Sequence, residues 1–145
     1  MKIHNYLKLE FPSRSVNEAL ARSAAALFVL PLDPTLEEMG DLKTAVSEAV
    51  TNCIVHAYTG EVGRILMKCR ILDGNVAEIS VKDWGCGIED VAKAREPLYT
   101  TGGEERAGMG FSIMESFTDE MRVRSRPGRG TVVVLRKRMG GGSGK

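Results

Sequence analysis

Val76-Ala77-Glu78-Ile79-Ser80-Val81-Lys82-Asp83-Trp84-Gly85-Cys86-Gly87 alternates in polarity up to Asp83 and then breaks into glycines. A period of two is the pattern of a half-buried strand. Asp83 has the parity of Ala77, Ile79 and Val81, so it points where the core-facing residues point. An inward carboxylate is costly unless something pairs with it. Two readings stay open: a turn or helix N-cap residue at a strand end, or a carboxylate awaiting a hydrogen-bond donor. Gly85 and Gly87 permit φ > 0 or a close backbone approach to a flat group.

Outward from this strand the chain organises itself by turn signals. Arg64 to Leu72 is the other arm of a hairpin around Asp73-Gly74. Tyr6 to Phe11 alternates as a strand and Pro12 ends it. Ser15 with Glu18 predicts a capping box for a helix to about Leu30, with an apolar stripe of Val16, Leu20, Ala24 and Leu27. Thr35 with Glu38 predicts a second box and a longer helix to about Tyr58. Ile88 to Arg95 reads as a short helix. Glu96 to Ala107 is polar, carries Gly102-Gly103 and reads as mobile. A helix is expected from about Gly108 to Phe117, then a hairpin of Met121 to Ser125 and Thr131 to Arg138 around Pro127-Gly128. The expected fold class is α/β, with helices on one face of a mixed, mostly antiparallel sheet. Residues 1–139 read as one domain and 140–145 as a flexible tail.

Composition excludes several classes. The 145 residues are 43% hydrophobic and 27% charged, with a formal net charge of +1. That balance suits one globular domain and gives no general attraction to nucleic acid or anionic membrane. No apolar run approaches the roughly 20 residues that span a bilayer, and the N-terminus lacks a signal-peptide stretch. The expected location is cytoplasmic. Cys53, Cys69 and Cys86 form no CxxC pair, so neither a zinc site nor a disulfide framework is indicated. Cys53 and Cys69 read as small core residues and Cys86 as an exposed loop residue.

The chemistry-bearing residues form an ordered series. On the second helix Met39, Leu42, Val46, Ala49, Val50, Cys53 and Ala57 share one side, while Glu48 and Asn52 are neighbours on the opposite side. That pair is either a solvated polar face or a functional couple. In the second case Asn52 offers a neutral hard oxygen suited to Mg²⁺, and Glu48 can take a proton from a hydroxyl or orient a water. Asp83, if inward and unpaired, matches an adenine exocyclic amine. Gly108-Met109-Gly110 is expected at a helix start, where free N–H groups favour anions such as phosphates. No P-loop or Rossmann fingerprint accompanies it. Thr131 is either a plain β-branched strand residue or a hydroxyl beside Asp83. Arg122 and Arg124 alternate with inward Met121, Val123 and Ser125, so they read as a solvated sheet face without stacking aromatics. An acidic protein partner remains open for that face. His56 reads as an interfacial or capping histidine.

Glu48-x-x-x-Asn52, Asp83-x-Gly85-x-Gly87, Gly108-x-Gly110 and Gly130-Thr131 together resemble the ATP-binding core shared by gyrase, the chaperone Hsp90, histidine kinases and MutL. Longer strings resemble the anti-sigma F factor family of spore-forming bacteria: Leu32-Asp33-Pro34-Thr35, Ser47-Glu48-Ala49-Val50-Thr51-Asn52, Glu96-Pro97-Leu98-Tyr99-Thr100-Thr101 and Gly108-Met109-Gly110-Phe111-Ser112-Ile113-Met114-Glu115. The similarity runs from about Ile3 to Arg138. It implies a Bergerat-type ATP-binding fold, with ATP and Mg²⁺ as cofactors. The implied activity is that of a homodimeric serine protein kinase that inhibits a sporulation sigma factor and phosphorylates an anti-anti-sigma protein. Glu48 would be the catalytic base and Asn52 the magnesium ligand. Asp83 would read adenine, with Gly85, Gly87 and Thr131 near it. Thr100, Thr101, Gly108, Met109 and Gly110 would line the lid and phosphates, and Arg22 and Arg106 would contact protein partners. The lid string Gly102-Gly103-Glu104-Glu105 is shorter and more glycine-rich than the family pattern. Two further readings are a module that holds ATP only to order a sigma-binding surface, and the related stress-response anti-sigma kinase.

Overall fold

The computed structural model describes residues 1–95 and 104–140, with the backbone alone for residues 104–108. Five strands form one sheet: β1 (Ile3–Pro12), β2 (Arg64–Leu72), β3 (Val76–Asp83), β4 (Glu120–Arg126) and β5 (Gly130–Arg138), in spatial order β1-β2-β3-β5-β4. Every pairing among the described residues is antiparallel. The β2–β3 hairpin has the bounds expected from its alternation. Its turn places both Gly74 and Asn75 at positive φ, 79° and 59°, the geometry that the right-handed twist of a tight hairpin demands.

The helices are α1 (Val16–Phe28), α2 (Leu36–Asn52), α3 (Val91–Ala94) and α4 (Glu104–Ser116). Leu42, Val46, Ala49 and Val50 of α2 pack with Met67, Ile79, Val81, Val133 and Leu135 from the inner sheet face in one continuous core. The other face keeps Lys8, Lys82, Arg122 and Arg124 exposed, as strand parity requires.

The two capping boxes behave differently. Thr35 and Glu38 exchange reciprocal bonds at 2.8 and 3.0 Å, which satisfies two orphan donors at the start of α2. Ser15 has helical dihedrals and makes no capping bond: the Glu18 N–H donates to the Ser15 carbonyl at 3.2 Å instead of its hydroxyl, and the Glu18 carboxylate is engaged by Arg22 and Thr51.

The face of α1 also departs from expectation. Ala21, Ala25 and Ala26 are buried, whereas Val16, Leu20 and Leu27 are 75, 51 and 66% exposed. Small side chains let α1 lie close on α2, so an alanine face wins the interior and the larger apolar residues stay outside. At the other end of the chain, Met139 is buried and the Gly140 N–H donates to Glu38. Residue 140 is therefore tied to the body, and residues 141–145 lie outside the described residues. No helix among the described residues is long and apolar enough to cross a membrane.

Candidate active site

The C-terminal end of α2 widens into a π-helical turn, Cys53–Ala57. Such turns insert one residue per turn and re-aim the groups that follow. Here the Ala57 carbonyl accepts from the Cys86 N–H at 3.0 Å. That bond draws the glycine loop after β3 onto the end of α2. Tyr58 completes the clamp: its hydroxyl accepts from the Trp84 N–H at 2.7 Å and donates to the Arg64 carbonyl.

The two glycines of the loop do different work. A Cβ on Gly85 would lie 2.3 Å from the Ala57 oxygen, so this glycine is required by the backbone contact that anchors the loop. Gly87 has φ +76° and a Cβ there would meet the Arg126 carbonyl at 2.1 Å. Of the pair, Gly87 lines the cleft. Both glycines are thus packed on backbone, Gly85 on Ala57 and Gly87 on Arg126, and Gly87 has the positive φ that the sequence reading allowed.

That cleft has a volume of about 720 Å³ and is bordered by Asn52, Asp83, Gly87, Lys93, Phe111 and Thr131, among others. Asp83 is 4% exposed. Its Oδ1 accepts from the Gly85 N–H at 3.0 Å and the Thr131 N–H at 3.2 Å. Its Oδ2 accepts from the Cys53 thiol at 3.5 Å. Burial pushes the Asp83 carboxyl above the usual carboxylate range, against the pull of those three donors. The Thr131 hydroxyl shares a hydrogen bond with the Ser125 hydroxyl at 2.7 Å. Burial, and then the Asp83 charge, raise the Cys53 thiol well above its ordinary value. Cys69 is pushed up to about 12 by burial alone. Cys86 is exposed at the cleft rim, its thiol donating to the His56 carbonyl at 3.2 Å.

The other end of the cleft is set by α4. A Cβ on Gly110 would sit 3.1 Å from Asn52 Oδ1 and 3.2 Å from Glu48 Oε2, so this glycine lets α4 approach α2 at the Glu48–Asn52 couple. Those two residues are half-buried rather than part of a solvated face. Among the described residues, Asn52 Nδ2 is buried without a hydrogen-bond partner. An unmet buried donor costs about 1–3 kcal/mol unless a ligand meets it. No group of three or more His, Cys, Asp or Glu able to hold a metal occurs among the described residues. A cation here would take its remaining ligands from a bound polyanion, as Mg²⁺ does on phosphates.

The family described as the histidine kinase-like ATPase domain matches residues 11–137. An anti-sigma F factor from Pasteuria penetrans is 58% identical over 139 residues, covering 93% of this chain and 91% of its own length. Another, from Caldanaerobacter subterraneus subsp. tengcongensis, is 53% identical over 141 residues, covering 97% and 98%.

The chain belongs to the anti-sigma F factor family.

Solved structures carry the fold further afield. The RsbU and RsbW domains of a Mycobacterium tuberculosis protein align with a TM-score of 0.66 at 18% identity, over 93% of this chain and 32% of that one. The blue-light activated histidine kinase of Erythrobacter litoralis EL346 aligns at 0.60 and 24% identity, over 78% and 34%. The fold is thus the one shared with these domains, in keeping with the match to the histidine kinase-like ATPase domain family.

In this member of the anti-sigma F factor family the expected site residues assemble in part. Asn52, Asp83, Gly87 and Thr131 border one cleft, and Glu48 and Gly110 lie beside Asn52 at the α2–α4 contact, outside its wall. Helix α4 starts at Glu104, four residues ahead of the expected start at Gly108, since Glu104 to Ala107 are compatible with a helix and Glu104–Glu105 favour its first turn. Gly108, Met109 and Gly110 therefore lie inside the helix and not at its N-terminus. Met109 is 54% exposed. Thr100 and Thr101 lie outside the described residues, as does the Arg106 side chain. Arg22 is half-buried and ion-paired with Glu18 at 3.3 Å. Lys93 on the cleft wall and the Cys53 contact to Asp83 escaped the sequence reading. Neither belongs to a spaced motif, and the tertiary packing of the end of α2 against β3, which brings Cys53 to Asp83, leaves no mark in residue periodicity.

Proposed function

We propose that this protein is an anti-sigma factor and serine protein kinase of the cytoplasm. It binds Mg-ATP in the Asp83 cleft, inhibits a sporulation sigma factor as a homodimer and phosphorylates an anti-anti-sigma protein on serine. The observation that carries the reading is the Asp83 carboxylate, buried at the cleft wall and held in place by backbone donors on one oxygen. That arrangement suits an adenine amine, which would select adenine over guanine through the donor it supplies.

The remaining residues fit the rest of the nucleotide. Asn52 would hold Mg²⁺ through its amide oxygen, the phosphates filling most of the ion's shell. Bound Mg²⁺ would neutralise charge on the phosphates during transfer. Glu48, one turn before Asn52, is suited to accept the proton of a substrate serine hydroxyl. A base at that place favours phosphotransfer over a module that merely holds ATP. Gly108 and Met109 would approach the phosphates from α4, with Thr100 and Thr101 in the lid. Arg22 and Arg106 would meet protein partners. The exposed Val16, Leu20 and Leu27 stripe of α1 beside Arg22 supports a partner or second protomer on that face, since apolar clusters left outside a fold mark interfaces.

A mixing assay with γ-labelled ATP and the candidate anti-anti-sigma protein tests the reading. Label on a serine of that protein is expected. ATP binding without label on any partner would leave only the sequestering role.

A further inference from the structure

We infer that Cys53 is a positioning residue for nucleotide recognition: its thiol orients the Asp83 carboxylate toward the base. The inference rests on the reading of Asp83 as the adenine contact. Both backbone donors to Asp83, from Gly85 and Thr131, converge on Oδ1. They fix one oxygen and leave the carboxylate free to rock about it. The second oxygen, Oδ2, has the Cys53 thiol at 3.5 Å. The three donors come from three places: the glycine loop, β5 and the π-turn after α2. Together they define a plane that no two of them define alone.

The geometry leaves Oδ2 half used. A carboxylate oxygen offers about two acceptor positions, and the thiol takes one. The other is available to an amine entering the cleft that Asp83 and Cys53 both border. Cys53 itself is 5% exposed, so it borders the cleft beside the carboxylate while offering a ligand little surface of its own. Its position is set by the regular end of α2: Cys53 has helical dihedrals, its N–H bonds to the Ala49 carbonyl, and the wider turn begins at this residue. A plain core cysteine would need only apolar neighbours; this one has its S–H directed at the buried carboxylate.

Calorimetric titration of two ligands into four proteins tests this. The ligands are Mg-ATP and the Mg complex of a purine nucleoside triphosphate lacking the 6-amino group. The proteins are wild type, Cys53→Ala, Cys53→Ser and Asp83→Asn. Cys53→Ala is expected to weaken ATP about two- to tenfold, the size of one ordinary hydrogen bond, and to leave the amine-free analogue within error of wild type. Cys53→Ser keeps a donor and is expected to restore ATP affinity. The analogue serves as an internal control for folding, since a collapsed site loses both ligands. Unchanged ATP affinity in Cys53→Ala, parallel loss of both ligands, or no restoration by serine would overturn the inference. If Asp83→Asn binds ATP like wild type, the adenine assignment itself fails and the role of Cys53 falls with it.

Discussion

Thr51 of α2 donates its hydroxyl to Glu18 of α1 at 3.0 Å, one residue before Asn52. The other oxygen of Glu18 holds Arg22 at 3.3 Å. The side chain proposed to meet protein partners is thus joined through a single carboxylate to the helix end proposed to hold the cation. Arg22→Ala is expected to weaken partner binding while ATP affinity stays within error. Glu18→Ala is expected to reproduce the partner defect and to lower stability by about 1 kcal/mol, since the Thr51 hydroxyl loses its acceptor. Pull-downs with ATP and with ADP check both variants. Undiminished capture by each would make the Arg22–Glu18 pair an ordinary surface ion pair.

Glu48→Ala is expected to divide binding from chemistry. Glu48 lies beside Asn52 at the α2–α4 contact and outside the wall of the Asp83 cleft, so nucleotide affinity should persist. Phosphotransfer should fall by roughly 10²–10⁴, as for loss of a general base. Single-turnover transfer from labelled ATP measures it, and a wild-type rate would remove Glu48 from the chemistry.

Gly110→Ala probes the close approach of the two helices. Alanine favours a helix over glycine by about 1 kcal/mol, yet its Cβ would press on Asn52 Oδ1 and Glu48 Oε2 at 3.1 and 3.2 Å. The expected outcome is a melting temperature near wild type with clearly weakened Mg-ATP binding. Thermal melts and ATP titration on the same preparation test it. Equal loss of stability and affinity would mean that Gly110 serves packing alone.

Much of this was legible from residue pattern. The alternation from Val76 to Lys82 located β3 and aimed Asp83 inward, because strand parity is rigid and a single buried face leaves no freedom of register. The Glu48–Asn52 spacing was equally clear. The face of α1 was misjudged, because periodicity ranks residues by hydrophobicity whereas a close helix pair selects for small size, and Ala21, Ala25 and Ala26 won. The separate duties of Gly85 and Gly87 were hidden for another reason. Both are crowded by backbone, of Ala57 and of Arg126, and only the tertiary structure shows that Gly87 also borders the cleft.

The pH dependence of Asp83 supplies the central test. Burial raises its folded-state pKa, so the protonated form favours folding. That contribution is complete below about pH 3.9, the ordinary aspartate value, and is lost as pH rises through the raised folded value. At neutral pH the buried charge therefore costs stability, and Asp83→Asn should melt at or above the wild-type temperature without ligand. The same substitution removes the acceptor proposed for the adenine amine. Calorimetric titration of Mg-ATP into wild type and Asp83→Asn at neutral pH measures the claim directly. The account predicts a loss of about 1.5–3 kcal/mol in binding free energy, the size of a hydrogen bond to a charged group, from a variant at least as stable as wild type. Wild-type ATP affinity in the folded Asp83→Asn variant would contradict it.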